Sequence, residues 1–161
     1  VTVRRVAIAG AGMAGTSVAC ALVALGFTGE IVLIDERAES DTARTWCWWD
    51  MPGVAFREQA TIRFPAWRVV TGDRDVTRSS ARHAYLCLRG PDFYRAAQTR
   101  LQGSRLRRVA SDGVVRIGET HAGVTLLCAS GRIVEADVAI RTHAQTGLRA
   151  RGRDAHGFPR G

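Results

Sequence analysis

The segment from residue 4 to residue 35 admits few folds. Residues 4–9 end in the apolar run Val6-Ala7-Ile8-Ala9, fit for a parallel strand buried on both faces. Gly10-Ala11-Gly12-Met13-Ala14-Gly15 follows, and residues 16–25 are rich in Ala, Val and Leu at helical spacing. Gly26 stands where a helix would stop. Ile31-Val32-Leu33-Ile34 is a second apolar strand, closed by Asp35 twenty residues after Gly15. Two parallel strands need a crossover between them, so the pattern predicts a βαβ unit.

Each glycine of the turn has its own physical task. Gly10 permits the tight exit from the strand. Gly12, without a side chain, lets a diphosphate approach the backbone. Gly15 lets the helix lie close on the sheet. The helix N-terminus turns free N–H groups and a positive dipole end toward that diphosphate. Asp35 is placed to accept a hydrogen bond from a ribose hydroxyl. Its carboxylate would repel a 2′-phosphate, which disfavours NADP at this position, though Arg37 nearby tempers the exclusion. A lone glycine motif is a weak signal. Here strand, glycines, helix, second strand and acid stand in register.

Beyond residue 35 the pattern loosens, and residues 36–80 read as irregular. Within them Arg44-Thr45-Trp46-Cys47-Trp48-Trp49-Asp50 stands out. Three Trp in four positions cannot all face one core. Either one or two pack beneath the dinucleotide unit and the rest cap a loop, or they form an aromatic wall for an apolar or cationic ligand. Phe64-Pro65-Ala66-Trp67 suggests a strand and turn, and Thr71-Gly72-Asp73-Arg74-Asp75 a loop or hairpin. Tyr85-Leu86-Cys87-Leu88-Arg89 is a short apolar stretch broken by Gly90-Pro91-Asp92. A helix over 93–101 follows, ending near Gly103. Segments 114–117, 124–128 and 132–134 alternate as an antiparallel meander. Residues 136–140 predict a last parallel strand returning to the main sheet.

Composition removes several function classes. The chain has 161 residues, about one domain, and its 46% apolar content is ordinary for a globular core. All 23 basic residues are Arg, giving a net charge of +8, but they are scattered without an aromatic platform, so no nucleic-acid partner is expected. Cys20, Cys47, Cys87 and Cys128 form no CxxC pair, and the four His have no ligand spacing, so no metal site is expected. The cysteines are read as reduced thiols. No apolar run reaches membrane-spanning length.

Three stretches together resemble the lycopene cyclase family of carotenoid biosynthesis. GAGMAG with VLIDER is common to many flavoproteins. RTWCWWD, residues 44–50, is similar to the family's RTWCFW-type motif and is more specific. YLCLRGPDFY, residues 85–94, is similar to its IRG-DFY segment. The resemblance covers about residues 4–140. It implies an α/β fold: a Rossmann-like FAD-binding domain of the aromatic-hydroxylase-like flavoprotein type, incomplete, with a small β-meander.

The resemblance also implies a site. FAD would be held by Gly10, Ala11, Gly12, Met13, Ala14 and Gly15 at its diphosphate and by Asp35 at its ribose. Arg44 would be a further FAD contact, and the backbone of Val114 would flank the adenine. FAD would act in its reduced form, with NADPH as electron source. The family's reaction closes the linear ends of lycopene, or a related linear carotene, into β-ionone rings. An acid protonates the terminal double bond, a tertiary carbocation forms, the neighbouring alkene attacks it, and a proton leaves. Other readings stay open: another FAD-dependent oxidoreductase or monooxygenase, or a non-catalytic fragment that binds dinucleotide weakly.

The resemblance places residues 1–140 in the FAD/NAD(P)-binding part, with the start of a substrate region at 44–90. Residues 141–161 lack apolar periodicity and are expected to be a disordered tail outside the family. The family's catalytic carboxylate is expected beyond Ile140, so no catalytic acid is assigned here. Were one needed before Ile140, Asp50 beside the Trp cluster is the first candidate. A cytoplasmic location is expected, with peripheral membrane contact because lycopene lives in lipid.

Overall fold

The computed structural model describes residues 2–37 and 44–142. The order is β1 (Arg5–Ala9), α1 (Met13–Ala24), β2 (Glu30–Ile34), β3 (Thr45–Trp49), a 3-10 turn (Arg57–Gln59), β4 (Ile62–Phe64), β5 (Ala66–Thr71), β6 (Arg74–Ser79), β7 (Tyr85–Arg89), α2 (Gly90–Leu101), β8 (Arg105–Val109), β9 (Val114–Thr120), β10 (Gly123–Cys128), β11 (Ile133–Ala136) and β12 (Val138–Arg141).

The main sheet runs β12-β1-β2-β8, with every neighbouring pair parallel. Val6 pairs with Ile31 and Ile8 with Leu33, so the expected βαβ unit is formed. Strand alternation splits the core into two layers. Val6, Ile8, Ile31 and Leu33 face α1 and α2, where they meet Phe93, Ala97, Leu86 and Leu88. Ala7, Ala9, Val32 and Ile34 face the β9–β11 meander, where they meet Val114, Leu126 and Val134. The small Ala7 and Ala9 side chains let the meander lie close. Burial on both faces explains why β1 and β2 read as continuous apolar runs.

Both helices start earlier than their periodicity suggests. α1 begins at Met13, inside the glycine motif, and α2 at Gly90, with Pro91 in its first turn. Pro lacks an N–H and has a pre-set φ, so it opens α2 rather than blocking it. β12 reaches Arg141, which pairs with Ala9, and the Thr142 N–H donates to the Ala9 carbonyl. The ordered sheet therefore passes the expected boundary at residue 140. The remainder of the expected tail, 143–161, lies outside the described residues.

Residues 45–79 are more regular than the sequence reading of 36–80 allowed, although the strand near 64–67 and the hairpin at 71–75 were expected. β3, β7 and β4 form an antiparallel sheet, and β5 pairs with β6 in a hairpin turned at Gly72. β6 is exposed along its whole length, so no apolar face marked it. β8 was also missed. Its RLRRV sequence carries three Arg, and only Val109 is fully buried at this sheet edge. Among the described residues, no helix is long and apolar enough to cross a membrane.

Candidate functional site

A cleft of about 640 Å³ opens at the ends of β1 and β2. Gly10, Gly12, Met13, Ala14, Asp35, Arg44 and Val114 all line it. Seven of the nine residues expected from sequence thus share one surface. Ala11 and Gly15 lie behind it in supporting roles. The Ala11 N–H donates to the Asp35 carboxylate at 2.7 Å. A Cβ on Gly15 would stand 1.8 Å from the Gly10 carbonyl oxygen.

The turn divides its structural tasks between Gly10 and Gly15. Gly10 has φ 104°, a conformation that strains any side chain. Gly15 is required by packing, since the close neighbour is backbone. Gly12 differs from both. A Cβ there would meet only the Arg37 guanidinium at 3.7 Å, an ordinary contact. The protein fold therefore does not itself demand glycine at position 12. A ligand lying against the α1 N-terminus would.

That N-terminus suits an anion. No side chain caps it and its first turn holds no acid. The positive end of the helix dipole is thus met by no charge from the helix itself. Thr16 anchors the turn from beneath, its hydroxyl donating to the Ala11 carbonyl at 3.0 Å. The Thr142 hydroxyl donates to the Ala9 carbonyl at 3.1 Å, holding the turn from the β12 side.

Asp35 is held from two directions. The Arg37 N–H and Nε donate to one carboxylate oxygen at 2.9 and 3.0 Å, and Ala11 donates to the other. Burial pushes the carboxyl up, but these donors outweigh it and hold its pKa below the ordinary value. It is an anion at neutral pH. A carboxylate offers about four acceptor directions; the Arg37 Nη2 takes the fourth at 3.4 Å, the longest of these contacts and the one a hydroxyl donor would replace.

Sequence reasoning missed several cleft residues. Glu36, Gly113 and Thr142 line it, and so do Arg37 and Trp46, which the sequence had already singled out. Gly113 and Thr142 carry no motif and arrive through the meander and β12. Trp46 unites the two readings of the Trp cluster: it lines the cleft and packs edge-on to Phe93 and Tyr94, at 5.2 and 6.0 Å between centroids. Trp48 faces the same core. Trp49, on the opposite face of β3, packs edge-on to Trp67 and tilted against Tyr85.

Asp50 is not among the cleft residues. Arg57 and Arg63 bind its carboxylate at 2.5 and 2.7 Å. Hydrogen bonding from Arg57 leads, burial opposes it, and Arg63 adds to it, so the pKa falls to about 2. Such a group does not carry a proton to donate at neutral pH.

A family model described as lycopene cyclase protein matches residues 5–157. No curated protein matches the chain. Among solved structures, the chain is similar to the Diels-Alderase PyrE3 of pyrroindomycin biosynthesis, at 18% identity and TM-score 0.63, covering 86% of this chain and 32% of that one. The 2-methyl-3-hydroxypyridine-5-carboxylic acid oxygenase matches at 17% identity and TM-score 0.62, over 86% and 39%. The 2,6-dihydroxypyridine-3-hydroxylase from Arthrobacter nicotinovorans matches at 15% and TM-score 0.57, over 86% and 36%. These likenesses concern fold, and the chain spans about a third of the length of those structures.

Proposed function

Because this chain belongs to the lycopene cyclase family, we propose that it is the cofactor-holding part of a lycopene β-cyclase, with FAD bound in the cleft through its ADP half. This makes the main sheet, α1 and the meander a Rossmann-like FAD-binding domain. The observation that carries the reading is convergence. The glycine turn, the uncapped α1 N-terminus and the ionised Asp35 meet in one cleft of about 640 Å³.

The residues fit the group. N–H groups from Gly12 to Ala14 would bind the diphosphate. Asp35 would accept from the adenosine ribose, and Val114 would flank the adenine. Arg44, exposed at the rim, would add positive charge. Reduced FAD would supply electron density that stabilises the cationic stage of ring closure or assists protonation, NADPH being the electron source. The substrate would be lycopene or a related linear carotene. A redox reading, hydroxylation by a flavoprotein of this fold, draws on the oxygenase and hydroxylase likenesses. The RTWCWWD and RGPDFY segments and the family match favour cyclisation.

Titration of the purified chain tests the cofactor site. FAD should bind, ADP should compete with it, and FMN, which lacks the AMP portion with its adenine and ribose, should not. Asp35→Ala should weaken FAD by about tenfold, as expected for one hydrogen bond to a charged acceptor. Competition by FMN but not by ADP would overturn the placement.

A further inference from the structure

The β3–β7 ladder sets Cys47 directly opposite Cys87. Two backbone bonds fix the character of that pair. The Gly90 N–H donates to the Arg44 carbonyl at 2.7 Å, and the Asp50 N–H donates to the Ala84 carbonyl at 2.8 Å. Hydrogen-bonded and non-hydrogen-bonded pairs alternate along an antiparallel ladder. The even-numbered pairs are therefore the bonded ones, and Cys47 with Cys87 is a non-bonded pair. Cα atoms in such pairs approach to about 4.5 Å, within the roughly 4.4–6.8 Å that a disulfide needs. The two Sγ atoms stand 2.6 Å apart, both as free thiols.

Access is asymmetric. Cys47 is exposed and Cys87 is buried. The other two thiols are separated from this pair. Cys20 packs in the helix-side core and Cys128 in the meander-side core, each buried. The ladder thus presents one matched pair with one open sulfur, on the face of β3 that also carries Trp49.

We infer that Cys47 and Cys87 form a reversible thiol–disulfide site, oxidised by a low-molecular-weight disulfide such as glutathione disulfide without a change of strand register. Cys47 loses its proton to solvent, and its thiolate attacks one sulfur of the glutathione disulfide. That S–S bond breaks and one glutathione leaves as thiolate. Cys87 then loses its proton and attacks the Cys47 sulfur, displacing the second glutathione. Two protein thiols give up two electrons, and one disulfide becomes two glutathione thiols. The second displacement is the slow one, because burial pushes the Cys87 thiol up. The bond would tie the strand that carries Trp46 at the cleft, and that directly follows Arg44, to the strand that leads into α2.

The test equilibrates the full 161-residue chain in glutathione buffers of increasing oxidised fraction, traps free thiols with a maleimide, and maps peptides by mass spectrometry. A single 47–87 cross-link is expected, with Cys20 and Cys128 alkylated only after denaturation. The same oxidation in guanidinium should lose that selectivity. The oxidised chain should melt at least about 5 °C higher than the reduced one, as a native staple across a long loop does. Cys47→Ser should remove both cross-link and shift, and should leave the reduced chain's melting temperature unchanged because position 47 is exposed. Accumulation of a glutathione adduct at Cys47 without closure, or scrambled pairs in the folded chain, would overturn the inference.

Discussion

Gly12 and Gly15 separate what the fold requires from what a ligand requires. A Cβ at Gly15 would overlap the Gly10 backbone oxygen, and backbone cannot yield as a flexible side chain can. Gly15→Ala should cost about 3 kcal/mol or more and lower solubility. Gly12→Ala meets only the Arg37 guanidinium at an ordinary contact distance, on an N-cap with extended backbone, so its cost should stay within about 1 kcal/mol. Its effect should appear in binding instead: FAD affinity should fall tenfold or more while the melting temperature barely moves. Titration and thermal melts of both variants check this, and equal destabilisation by the two would sink the distinction. Asp50 gives a pH prediction with a clear sign. Its folded pKa, about 2, lies below its ordinary value. Its contribution is therefore complete above about pH 4 and is lost as pH falls toward 2. Asp50→Asn should lower the melting temperature at pH 7 and flatten its fall between pH 4 and pH 2. Nothing in the sequence marked this cluster, because Arg57 and Arg63 reach Asp50 only once β4 folds back beside β7. The Asp35 site, by contrast, was legible, since its partners Ala11 and Arg37 belong to the same βαβ unit.

Among the elements, stability should follow burial. β1 and β2 are buried almost throughout, whereas β5 and β6 expose nearly every residue. The hairpin's main apolar anchor is Trp67, packed against Trp49 at 4.3 Å. Amides of β5 and β6 should exchange with deuterium roughly a hundredfold faster than those of β1 and β2. Trp67→Ala should speed exchange in the hairpin further and leave the main sheet unaltered. Slowed exchange there, equal to that of the main sheet, would mean that something else covers the hairpin. The same contrast explains which elements could be read in advance. β1, α1, β2, β7 and α2 bury one face or both, so hydrophobic periodicity announces them. The meander announces itself by alternation and by Gly-rich turns. β6 has no buried face, and β8 is an Arg-rich edge strand whose partner lies some 70 residues earlier, as Glu30 with Arg105. Strands held by backbone pairing alone leave little trace in side-chain pattern. The Trp stretch was legible as unusual but not as a strand. Its alternation only becomes meaningful once β7 lies beside β3, with Trp46 and Trp48 inward and Cys47 and Trp49 outward.

At the scale of the whole molecule, the three layers fit the proposed cofactor better than they fit the proposed cyclisation. Protonating an alkene needs a carboxylic acid that keeps its proton near neutral pH, which burial in an apolar, water-free enclosure provides. Among the described residues, each Asp or Glu whose pKa clearly departs from its ordinary value departs downward: Glu30, Asp35, Asp50, Asp75, Asp112 and Asp137. Each has an Arg, a hydroxyl or a backbone N–H that favours the charged form. None of these is poised as a proton donor, and the cleft itself is rimmed by charged Glu36, Arg37 and Arg44 rather than closed by apolar side chains. The proposed reaction therefore needs an acid other than these six carboxylates. Expression of this 161-residue chain in lycopene-accumulating cells should yield no β-carotene on pigment chromatography, even when the purified chain binds FAD. If β-carotene does accumulate, the acid lies within the chain, and the carboxylates must be replaced one at a time. Asp50, beside Trp48 and Trp49, would be the first, and loss of product in Asp50→Asn with FAD binding intact would show that substrate binding displaces Arg57 and Arg63 from it.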